Sequence, residues 1–366
     1  MNDASSTLDT PAILSRRVAL VTGGAGFIGS NLADRLATDG HDVLVLDALA
    51  RPGVEANLHW LKARHPERIT ARIADIRDEA AVEEAARDAK VVFHLAGQVA
   101  VTTSLADPRE DFDINLRGTF NLLDALRRQG RAVPLIFAST NKVYGALSDV
   151  ALERTAEGYR PVDAALQAHG ISEARPLDFH TPYGCSKGGA DQYVLDFARS
   201  FGIPTAVLRM SCIYGQRQMG TEDQGWVAHF LIRALRGEPI TIFGDGFQVR
   251  DVLQVEDAVA AYLAAWKRIG AVAGRAFNLG GGPGNAVSLR QVLAAIEELV
   301  GRHVTVDYAD WRAGDQRYYV SDTRLVQREL GLGTTTPWRA GLAGLARWLS
   351  EAQALRNPAD VAEAAR

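Results

Sequence analysis

Val18-Ala-Leu-Val-Thr22, followed by Gly23-Gly-Ala-Gly-Phe-Ile-Gly29, is the stretch that decides the fold of this 366-residue chain. Residues 18–22 form a continuous apolar run typical of a buried strand, and a helical pattern follows over about residues 28–37. A turn with glycines at these places lets the backbone approach a pyrophosphate, and the following helix N-terminus faces the anion. The context predicts a dinucleotide-binding turn, with a generic tight turn as the alternative. The predicted cofactor contacts in it are Gly23, Gly26, Phe27, Ile28 and Gly29.

Asp47 closes the second predicted strand, 18 residues after Gly29. A carboxylate at this place meets the adenosine ribose hydroxyls and repels a 2′-phosphate, so we expect NAD and not NADP. Arg51 could pair with such a phosphate, but we interpret it as a solvated loop residue. Further cofactor contacts are predicted where the third and fourth strands end, at Asp75, Ile76, Leu95, Ala96 and Gln98. A surface turn at Asp75 and Ile76 is the alternative there.

Short apolar runs alternate with longer helical patterns along the first half of the chain. Strands are predicted at 42–46, 69–73, 91–95, 135–139 and 205–209, and long helices at about 111–128 and 183–200. Continuous apolar strands separated by helices indicate a parallel sheet covered on both faces. We therefore expect an α/β protein with a Rossmann-type doubly wound parallel sheet and a smaller C-terminal α/β substrate lobe.

The two lobes are expected to interleave in sequence. The NAD-binding domain is predicted over residues 17–210, with an inserted loop at 146–180 that contains several Gly and Pro breakers, and the second lobe over 211–350. Shorter strands of the second lobe are predicted at 240–243, 249–253, 276–279 and 304–307. Residues 357–366 are expected to fray.

Tyr183-Gly-Cys-Ser-Lys187 opens a predicted helix, so Tyr183 and Lys187 lie one turn apart on the same face. A tyrosine has a pKa near 10, and we expect the ammonium of Lys187 to lower it towards neutral pH so that the phenolate can act as a base. The same ammonium could bind the nicotinamide ribose. A hydroxyl donor should complete the set at the end of the fifth strand, where Ser139-Thr140 lies. An ordinary surface pair is the alternative for Tyr183 and Lys187.

Composition and charge exclude several classes of protein. The chain carries 40 basic and 44 acidic residues, a net charge of −4, which argues against nucleic-acid partners and anionic membrane surfaces. Residues 1–15 lack the apolar core of a secretory peptide, and no apolar run approaches the length of a membrane span. Two cysteines cannot form a disulfide framework, so a cytoplasmic location is expected. No cluster has metal-ligand spacing, and we predict no metal.

Three motifs together resemble the extended short-chain dehydrogenase/reductase family. They are the glycine turn, Ser139-Thr140 with Val143-Tyr144-Gly145, and Tyr183 with Lys187, and the resemblance covers residues 18–348. It implies a Rossmann lobe that binds NAD(P) and a C-terminal lobe that binds a nucleotide-sugar. It also implies that Tyr183, Lys187 and Thr140 are the catalytic residues and that the protein is a homodimer.

Longer strings narrow the resemblance to the branch of this family that epimerises CDP-linked deoxyhexoses at C2, of the CDP-paratose to CDP-tyvelose type. They include Asn57-Leu-His-Trp60, Thr140-Asn-Lys-Val-Tyr-Gly145, Asp223-Gln-Gly-Trp226 and Gly314-Asp-Gln-Arg317. The 4,6-dehydratase branch carries an Asp-Glu pair directly after the strand-end Thr. Asn141 and Lys142 stand there in this chain, so elimination of water is not expected.

The resemblance also implies a substrate site in the second lobe. Arg250 and Arg317 match positions that hold the pyrophosphate of a nucleotide-sugar, and arginine suits that group through bidentate geometry. The alternative for Arg250 and Arg317 is a structural ion pair with Asp251 or Asp315. Candidate sugar contacts are Gln98, Thr102, Asn141, His180, Tyr214 and Gln224. His180 could instead be a loop residue, and Tyr214 could only pack.

The expected activity is epimerisation at C2 of a CDP-linked deoxyhexose through a transient keto-sugar, with NAD regenerated in each turnover. One alternative is a 4-epimerase of UDP-hexoses that uses the same residues with the sugar turned differently. A second alternative, from another class of protein, is a non-catalytic NAD-binding sensor. Because Tyr183 and Lys187 are both present, the sequence favours an enzyme.

Overall fold

Residues 17–356 are described by a computed structural model. Its strands are β1 (Val18–Thr22), β2 (Val43–Asp47), β3 (Ile69–Ile73), β4 (Ala89–His94), β5 (Leu135–Thr140), β6 (Leu152–Arg154), β7 (Tyr159–Pro161), β8 (Thr205–Met210), β9 (Cys212–Tyr214), β10 (Ile240–Phe243), β11 (Val249–Gln254), β12 (Arg275–Leu279), β13 (Ala286–Ser288), β14 (Val306–Ala309) and β15 (Tyr318–Tyr319).

The α-helices lie between these strands and after the last of them. They are α1 (Phe27–Thr38), α2 (Val54–Arg64), α3 (Glu79–Ala86), α4 (Val101–Ala106), α5 (Pro108–Phe112), α6 (Gly118–Arg128), α7 (Ala164–His169), α8 (Thr181–Phe201), α9 (Trp226–Arg236), α10 (Val255–Lys267), α11 (Ile269–Val272), α12 (Leu289–Val300), α13 (Arg324–Leu330) and α14 (Trp338–Arg356). A π-helical turn spans Asp113–Arg117, and 3₁₀ turns span Asn141–Tyr144 and Pro283–Asn285.

Seven parallel strands form the central sheet in the order β12-β8-β5-β4-β1-β2-β3. The order reverses direction between β1 and β4, as in a doubly wound sheet whose ligand lies at the carboxyl ends of those strands. The predicted Rossmann-type α/β fold is therefore confirmed. Strand β12 comes from residues beyond the predicted boundary at 210 and joins the large sheet beside β8.

Alternate residues along the central strands pack into two apolar layers. In β1, Ala19 and Val21 contact one layer, which contains α1 and α10, while Leu20 contacts the opposite layer with α3, α6 and α8. These residues are 0% exposed. Burial on both faces explains why the strands are continuous apolar runs in the sequence.

The second lobe has its own apolar core between α9, α12 and α14. Strand β11 is the centre of its sheet, because it pairs with β9, β13 and β15. The carboxyl ends of β1, β4 and β5 bring the glycine turn, residues 95–98 and Thr140 to one edge of the large sheet, next to the start of α8.

Several predicted elements differ in detail from the structure. The helix predicted at 111–128 is divided into α5, the π-helical turn and α6. The loop at 146–180 contains the β6–β7 hairpin and α7. Helices α2 and α3 were not predicted, and the last predicted strand begins at Val306 instead of residue 304. The prediction for 357–366 lies outside the described residues.

Candidate active site

The glycine turn leaves no room for side chains at its two most crowded positions. Gly23 has φ = +69°, and a Cβ added there would lie 2.7 Å from the backbone nitrogen of Ala96. A Cβ on Gly29 would lie 2.1 Å from the carbonyl oxygen of Gly23. The turn is therefore built from bare backbone at the N-terminus of α1, which is the cradle that a dinucleotide pyrophosphate needs.

Asp47 connects the end of β2 to this turn. One carboxylate oxygen accepts a hydrogen bond from the backbone N–H of Ala25 at 2.9 Å, and the other accepts from the N–H of Leu49 at 2.9 Å. Burial raises the pKa of Asp47, and these backbone donors oppose the rise. The carboxylate thus lies directly behind the glycine turn, where adenosine ribose hydroxyls are bound in dinucleotide folds.

The other predicted cofactor contacts differ in burial and in the groups that they bind. Asp75 pairs with Arg77 at 2.7 Å, which lowers the pKa of Asp75, and Ile76 is buried. Ala96 donates its N–H to the hydroxyl of Thr22 at 3.2 Å, at the edge where β1 and β4 end. Leu95 packs at the margin of the apolar layer that contains α1.

Gln98 does not present its amide to a ligand in this structure. Its nitrogen donates to the carbonyl of Ala100 at 2.8 Å and to Asp111 at 3.0 Å, and its oxygen accepts from the N–H of Ala100. The side chain therefore folds the loop after β4 onto α5. The predicted sugar or cofactor contact of Gln98 stays a prediction.

A segment of the second lobe lies over the glycine turn. Asn57 donates to the carbonyl of Ala25 at 3.2 Å and to that of Arg217 at 3.3 Å. Arg51 lies at an exposed loop position, as expected, and its guanidinium donates to Gln224 at 3.1 Å. This bond links Gln224 of the second lobe to the loop after β2, and the sugar contact of Gln224 stays a prediction.

Tyr183 and Lys187 come together with Thr140 as predicted. Tyr183 is 8% exposed and Lys187 is 5% exposed, and both lie at the start of α8. The phenol of Tyr183 is hydrogen-bonded to the hydroxyl of Thr140. The ammonium of Lys187 lies 4.2 Å from the centre of the Phe137 ring in β5. Helix α8 begins at Thr181 with φ = +63°, a costly conformation for a β-branched residue and one that is typical of functional sites.

The charge states of these two residues are set mainly by burial. Burial raises the pKa of Tyr183 to about 12, opposed by the hydrogen bond from Thr140. Asp111 raises the pKa of Tyr183 further, and Lys187 is not among the groups that shift it, so the expected lowering by the ammonium is not found. Burial also lowers the pKa of Lys187 to about 8, while Asp191 and Asp111 oppose that shift.

Asn141 and Lys142 bind the second lobe. Asn141 donates to Gln316 at 3.3 Å, and Gln316 donates to the carbonyl of Gly145 at 2.6 Å. The ammonium of Lys142 donates to the carbonyl of Gly314 at 3.1 Å and lies 3.8 Å from Asp315. These contacts join the strand end that carries Thr140 to residues 314–317, so the two candidate sites lie next to each other.

Arg250 is buried and shares Asp315 with Lys142. Its guanidinium donates to Asp315 at 2.9 Å and to the carbonyl of Val249 at 2.8 Å. The ion pair that we considered as an alternative is therefore present. Arg317 is exposed and lies 5.5 Å from the ring of Trp311 and 5.7 Å from that of Tyr159.

The remaining predicted sugar contacts differ in burial and in their hydrogen-bond partners. Tyr214 is 1% exposed within the core of the second lobe and donates to the carbonyl of Trp338, which agrees with the packing role given above as its alternative. His180 lies at the surface, 3.0 Å from Asp178. The Thr102 hydroxyl is buried and has no hydrogen-bond partner among the described residues.

Four polar residues of the site were not predicted from the sequence: Asp111, Asn115, Ser186 and Lys142. The first three form a buried cluster behind Tyr183 and Lys187. The rarity of lysine is a signal that could have drawn attention to Lys142. The chain has only five lysines, at 62, 90, 142, 187 and 267. Two of these five lie at the site.

Residues 17–356 contain neither a cluster of metal ligands nor a membrane-spanning helix. No group of three or more His, Cys, Asp or Glu side chains is placed to hold a metal ion. None of the helices described there is long and apolar enough to cross a membrane.

Comparisons with known proteins give a consistent family. Residues 19–280 match the NAD dependent epimerase/dehydratase family. The chain is 40% identical over 347 residues to CDP-paratose 2-epimerase of Salmonella typhi, covering 90% of this chain and 98% of that protein. It is 32% identical to a putative UDP-glucose 4-epimerase of Methanocaldococcus jannaschii, covering 90% and 97%.

Solved structures agree with these sequence matches. UDP-glucose 4-epimerase of Thermotoga maritima with UDP-glucose superposes with a TM-score of 0.78 at 31% identity, covering 92% of this chain and 99% of that one. UDP-glucuronic acid 4-epimerase of Bacillus cereus with UDP-glucuronic acid and NAD superposes with a TM-score of 0.79 at 26% identity, covering 91% and 99%. The glycine cradle fits NAD, and the chain belongs to the NAD dependent epimerase/dehydratase family, whose members are enzymes that act on nucleotide-sugars.

Proposed function

We propose that this enzyme inverts the configuration at C2 of a CDP-linked deoxyhexose. The observation that carries the proposal is the 40% identity to the Salmonella CDP-paratose 2-epimerase along nearly the whole of both chains. The site supports it, because Asn141 and Lys142 occupy the places of a dehydratase acid pair and instead bind Gln316 and Gly314. A tyrosine, a lysine and a threonine remain for redox chemistry at one carbon.

Tyr183 and Thr140 act on the substrate hydroxyl in this proposal. When bound, NAD supplies the acceptor and later the donor of the C2 hydride that interconverts alcohol and ketone. The phenolate of Tyr183 takes the hydroxyl proton, and the hydroxyl of Thr140 donates to the same oxygen. The ammonium of Lys187 binds the nicotinamide ribose of the cofactor. The ketone then turns within the pocket, receives the hydride on its other face and regains its proton from Tyr183.

Arg250 and Arg317 hold the diphosphate about which the sugar turns. Arg250 already points towards an oxygen anion, since it binds Asp315, and a diphosphate offers the same acceptor geometry twice. Thr102 has a buried hydroxyl without a partner among the described residues, which suits a substrate contact. Asn141 lies beside Thr140 at the same edge and completes the proposed sugar side of the cleft.

The function is tested by supplying CDP-paratose deuterated at C2. We expect epimerisation with deuterium retained at C2 of both epimers, because the hydride never exchanges with water. NMR of the sugar ring and mass spectrometry check this result. Washout of the label into solvent would contradict hydride transfer and indicate deprotonation of carbon.

UDP-hexose 4-epimerisation is a second candidate, favoured by the 32% identity to the putative UDP-glucose 4-epimerase and by the solved 4-epimerase structures. Parallel incubation with UDP-glucose distinguishes the two. Turnover of UDP-glucose alone would replace our proposal with this one. Bound NAD with no turnover of either sugar would instead indicate a non-catalytic sensor.

Replacement of Asp47 by Ala is expected to weaken NAD binding by about tenfold or more, because a charged hydrogen-bond acceptor for the ribose is lost. Fluorescence titration with NADH measures the change. Asp39→Ala is the matched control, since Asp39 is an acidic residue on the same lobe that pairs with Arg35 at the surface. Equal affinities for Asp47→Ala and wild type would contradict the assignment of Asp47.

We also propose that the enzyme is a homodimer. Helices α6 and α8 carry the exposed aromatic side chains Phe120, Tyr193 and Phe201 on adjacent surfaces, and Phe120 and Tyr193 are in edge contact at 5.7 Å. Exposed aromatic patches of this kind mark association surfaces. Light scattering after gel filtration gives the mass, and a monomer across the micromolar range would contradict the proposal.

A cytoplasmic location is proposed from the chemistry of the cysteines. Cys185 and Cys212 are both unpaired, as expected in a reducing compartment. Fractionation of the producing cell would test this location, and recovery outside the cytoplasm would contradict it.

A further inference from the structure

A buried carboxylate lies behind the catalytic pair without a cation of its own. Asp111 is 1% exposed and is in α5, which packs against the start of α8. One of its oxygens accepts from Gln98 at 3.0 Å and from Asn115 at 3.0 Å, and the other accepts from the hydroxyl of Ser186. Among residues 17–356, no Lys, Arg or His side chain forms an ion pair with Asp111. Three donors thus converge on a carboxylate whose charge must be balanced elsewhere.

Burial raises the pKa of Asp111, and the charge of Lys187 opposes that rise. Ser186, which binds Asp111, precedes Lys187 in the chain. The other carboxylate near Lys187 is Asp191, but it binds Arg209 through both oxygens at 2.9 Å and accepts from Ser139 at 2.7 Å. Asp191 and Asp111 both favour the charged form of Lys187. The charge of Asp191 is shared with Arg209, whereas Asp111 forms no ion pair among residues 17–356.

The same carboxylate also fixes the loop that approaches Lys187. Gln98 joins Asp111 to the backbone of Ala100, and Asn115 donates to the carbonyl of Gln98 at 3.0 Å. A Cβ added to Gly97 would lie 2.8 Å from the Asn115 oxygen and 3.8 Å from the Lys187 nitrogen. Residues 97–100 are thus held between the Asp111 cluster and the ammonium.

We propose that Asp111 is a positioning residue that keeps Lys187 protonated at neutral pH and holds residues 97–100 beside it. The importance of Asp111 for activity rests on the proposed role of Lys187 at the cofactor. The effect of Asp111 on the charge of Lys187 does not depend on that proposed role. Asp111 itself touches neither cofactor nor substrate in this assignment.

The other ionisable groups around Lys187 do not replace Asp111. His94 of β4 is fully buried and neutral, because burial lowers its pKa to about 3, and Tyr183 is neutral at ordinary pH. The ammonium of Lys142 is directed to Gly314 and Asp315, and Tyr144 accepts a hydrogen bond from Arg209. Helix α4 has no charged residue. On α5 and the π-helical turn, the remaining charges are Arg109, Glu110, Asp113 and Arg117, which pair with one another or with Arg77.

The five lysines of the chain make a direct experiment possible. The full-length enzyme is labelled with [13Cε]lysine, and each of the five Cε signals is followed against pH by NMR and assigned by single replacement. In Asp111→Asn, we expect the titration midpoint of Lys187 to fall by about one pH unit, because loss of a nearby negative charge favours the neutral amine. The midpoints of Lys62 and Lys267, which lie far from the cluster, should stay unchanged.

Two further variants separate electrostatics from damage to the fold. Glu110→Gln removes a carboxylate from the adjacent position, which lies at the surface, and should leave the midpoint of Lys187 where it is. Asp111→Glu keeps the charge and should restore the midpoint even if the loop shifts. A Lys187 midpoint in folded Asp111→Asn equal to that of the wild type would overturn the proposal, and so would an equal shift in Glu110→Gln. Because no sugar substrate is used, these outcomes are independent of the proposed function.

Discussion

Replacement of Tyr183 by Phe is expected to lower kcat by about 1000-fold, the usual contribution of a positioned general base. The phenol oxygen is the one atom of Tyr183 that the change removes, and it is hydrogen-bonded to Thr140 at the site. The ring remains to fill the same space, so the fold and NAD binding should be retained. The rate loss then reports proton transfer and not a collapse of the site.

Epimerisation assays and NADH titration on the same preparation measure the two quantities. Tyr308→Phe is the matched control, because Tyr308 is 58% exposed in the second lobe and loses the same hydroxyl. A Tyr183→Phe enzyme that keeps kcat within tenfold of the wild type would show that another group takes the proton. Thr140 would then be the first residue to replace.

Because Tyr183 is neutral in the protein alone, we expect it to become a base only when the cofactor is bound. Burial holds the pKa of Tyr183 at about 12, too high for a base at neutral pH. A positive charge placed beside a phenol favours the phenolate, and the oxidised nicotinamide ring carries one. Lys187 adds a second positive charge for as long as it stays protonated. Asp111 therefore matters to Tyr183 in two opposite ways, since its own charge raises the pKa of the phenol while it supports the charge of Lys187.

The fold could be predicted from sequence because its strands are buried on both faces. Strands such as β1 and β5 have no polar face, so they stand out as continuous apolar runs. Helix α2 does not, because it buries Asn57 together with Leu58 and Leu61, and its pattern is weak. The π-helical turn at Asp113–Arg117 could not be predicted from the sequence, for another reason. It adds one residue to an amphipathic pattern that continues on either side.

The approach of Tyr183 and Lys187 could be predicted because their spacing is local, whereas the directions of other polar side chains could not. Tyr183 and Lys187 are four residues apart on one helix, so their approach follows from the sequence alone. Tyr214 and Gln98 carry suitable polar groups but turn them to Trp338 and Ala100. The burial of Asp111 could not be predicted either. An acidic residue among Arg109, Glu110 and Asp113 is typical of a solvated helix face.

Arg250 is proposed to bind the diphosphate, and its replacement by Met is expected to raise KM for the nucleotide-sugar by about 100-fold. The guanidinium is buried, with its side chain 8% exposed, so a phosphate bound to it gains a charge-assisted hydrogen bond away from water. Because the diphosphate is remote from C2, kcat should change much less than KM. Arg339→Met is the control, since Arg339 is 60% exposed and pairs with Glu298 at the surface.

Asp315 distinguishes this role from that of a structural ion pair. If Arg250 only pairs with Asp315, Arg250→Met and Asp315→Asn should destabilise the protein alike, and neither should change the Kd for CDP. If Arg250 binds the diphosphate, Asp315 competes for the same guanidinium, so Asp315→Asn should bind CDP more tightly while Arg250→Met binds it more weakly. Lys142 strengthens this expectation, because at 3.8 Å it can keep Asp315 paired when Arg250 turns to phosphate. Calorimetric titration with CDP and with UDP, together with urea unfolding of both variants, measures the two sets of outcomes, and changes of Kd in the same direction would reject the diphosphate role.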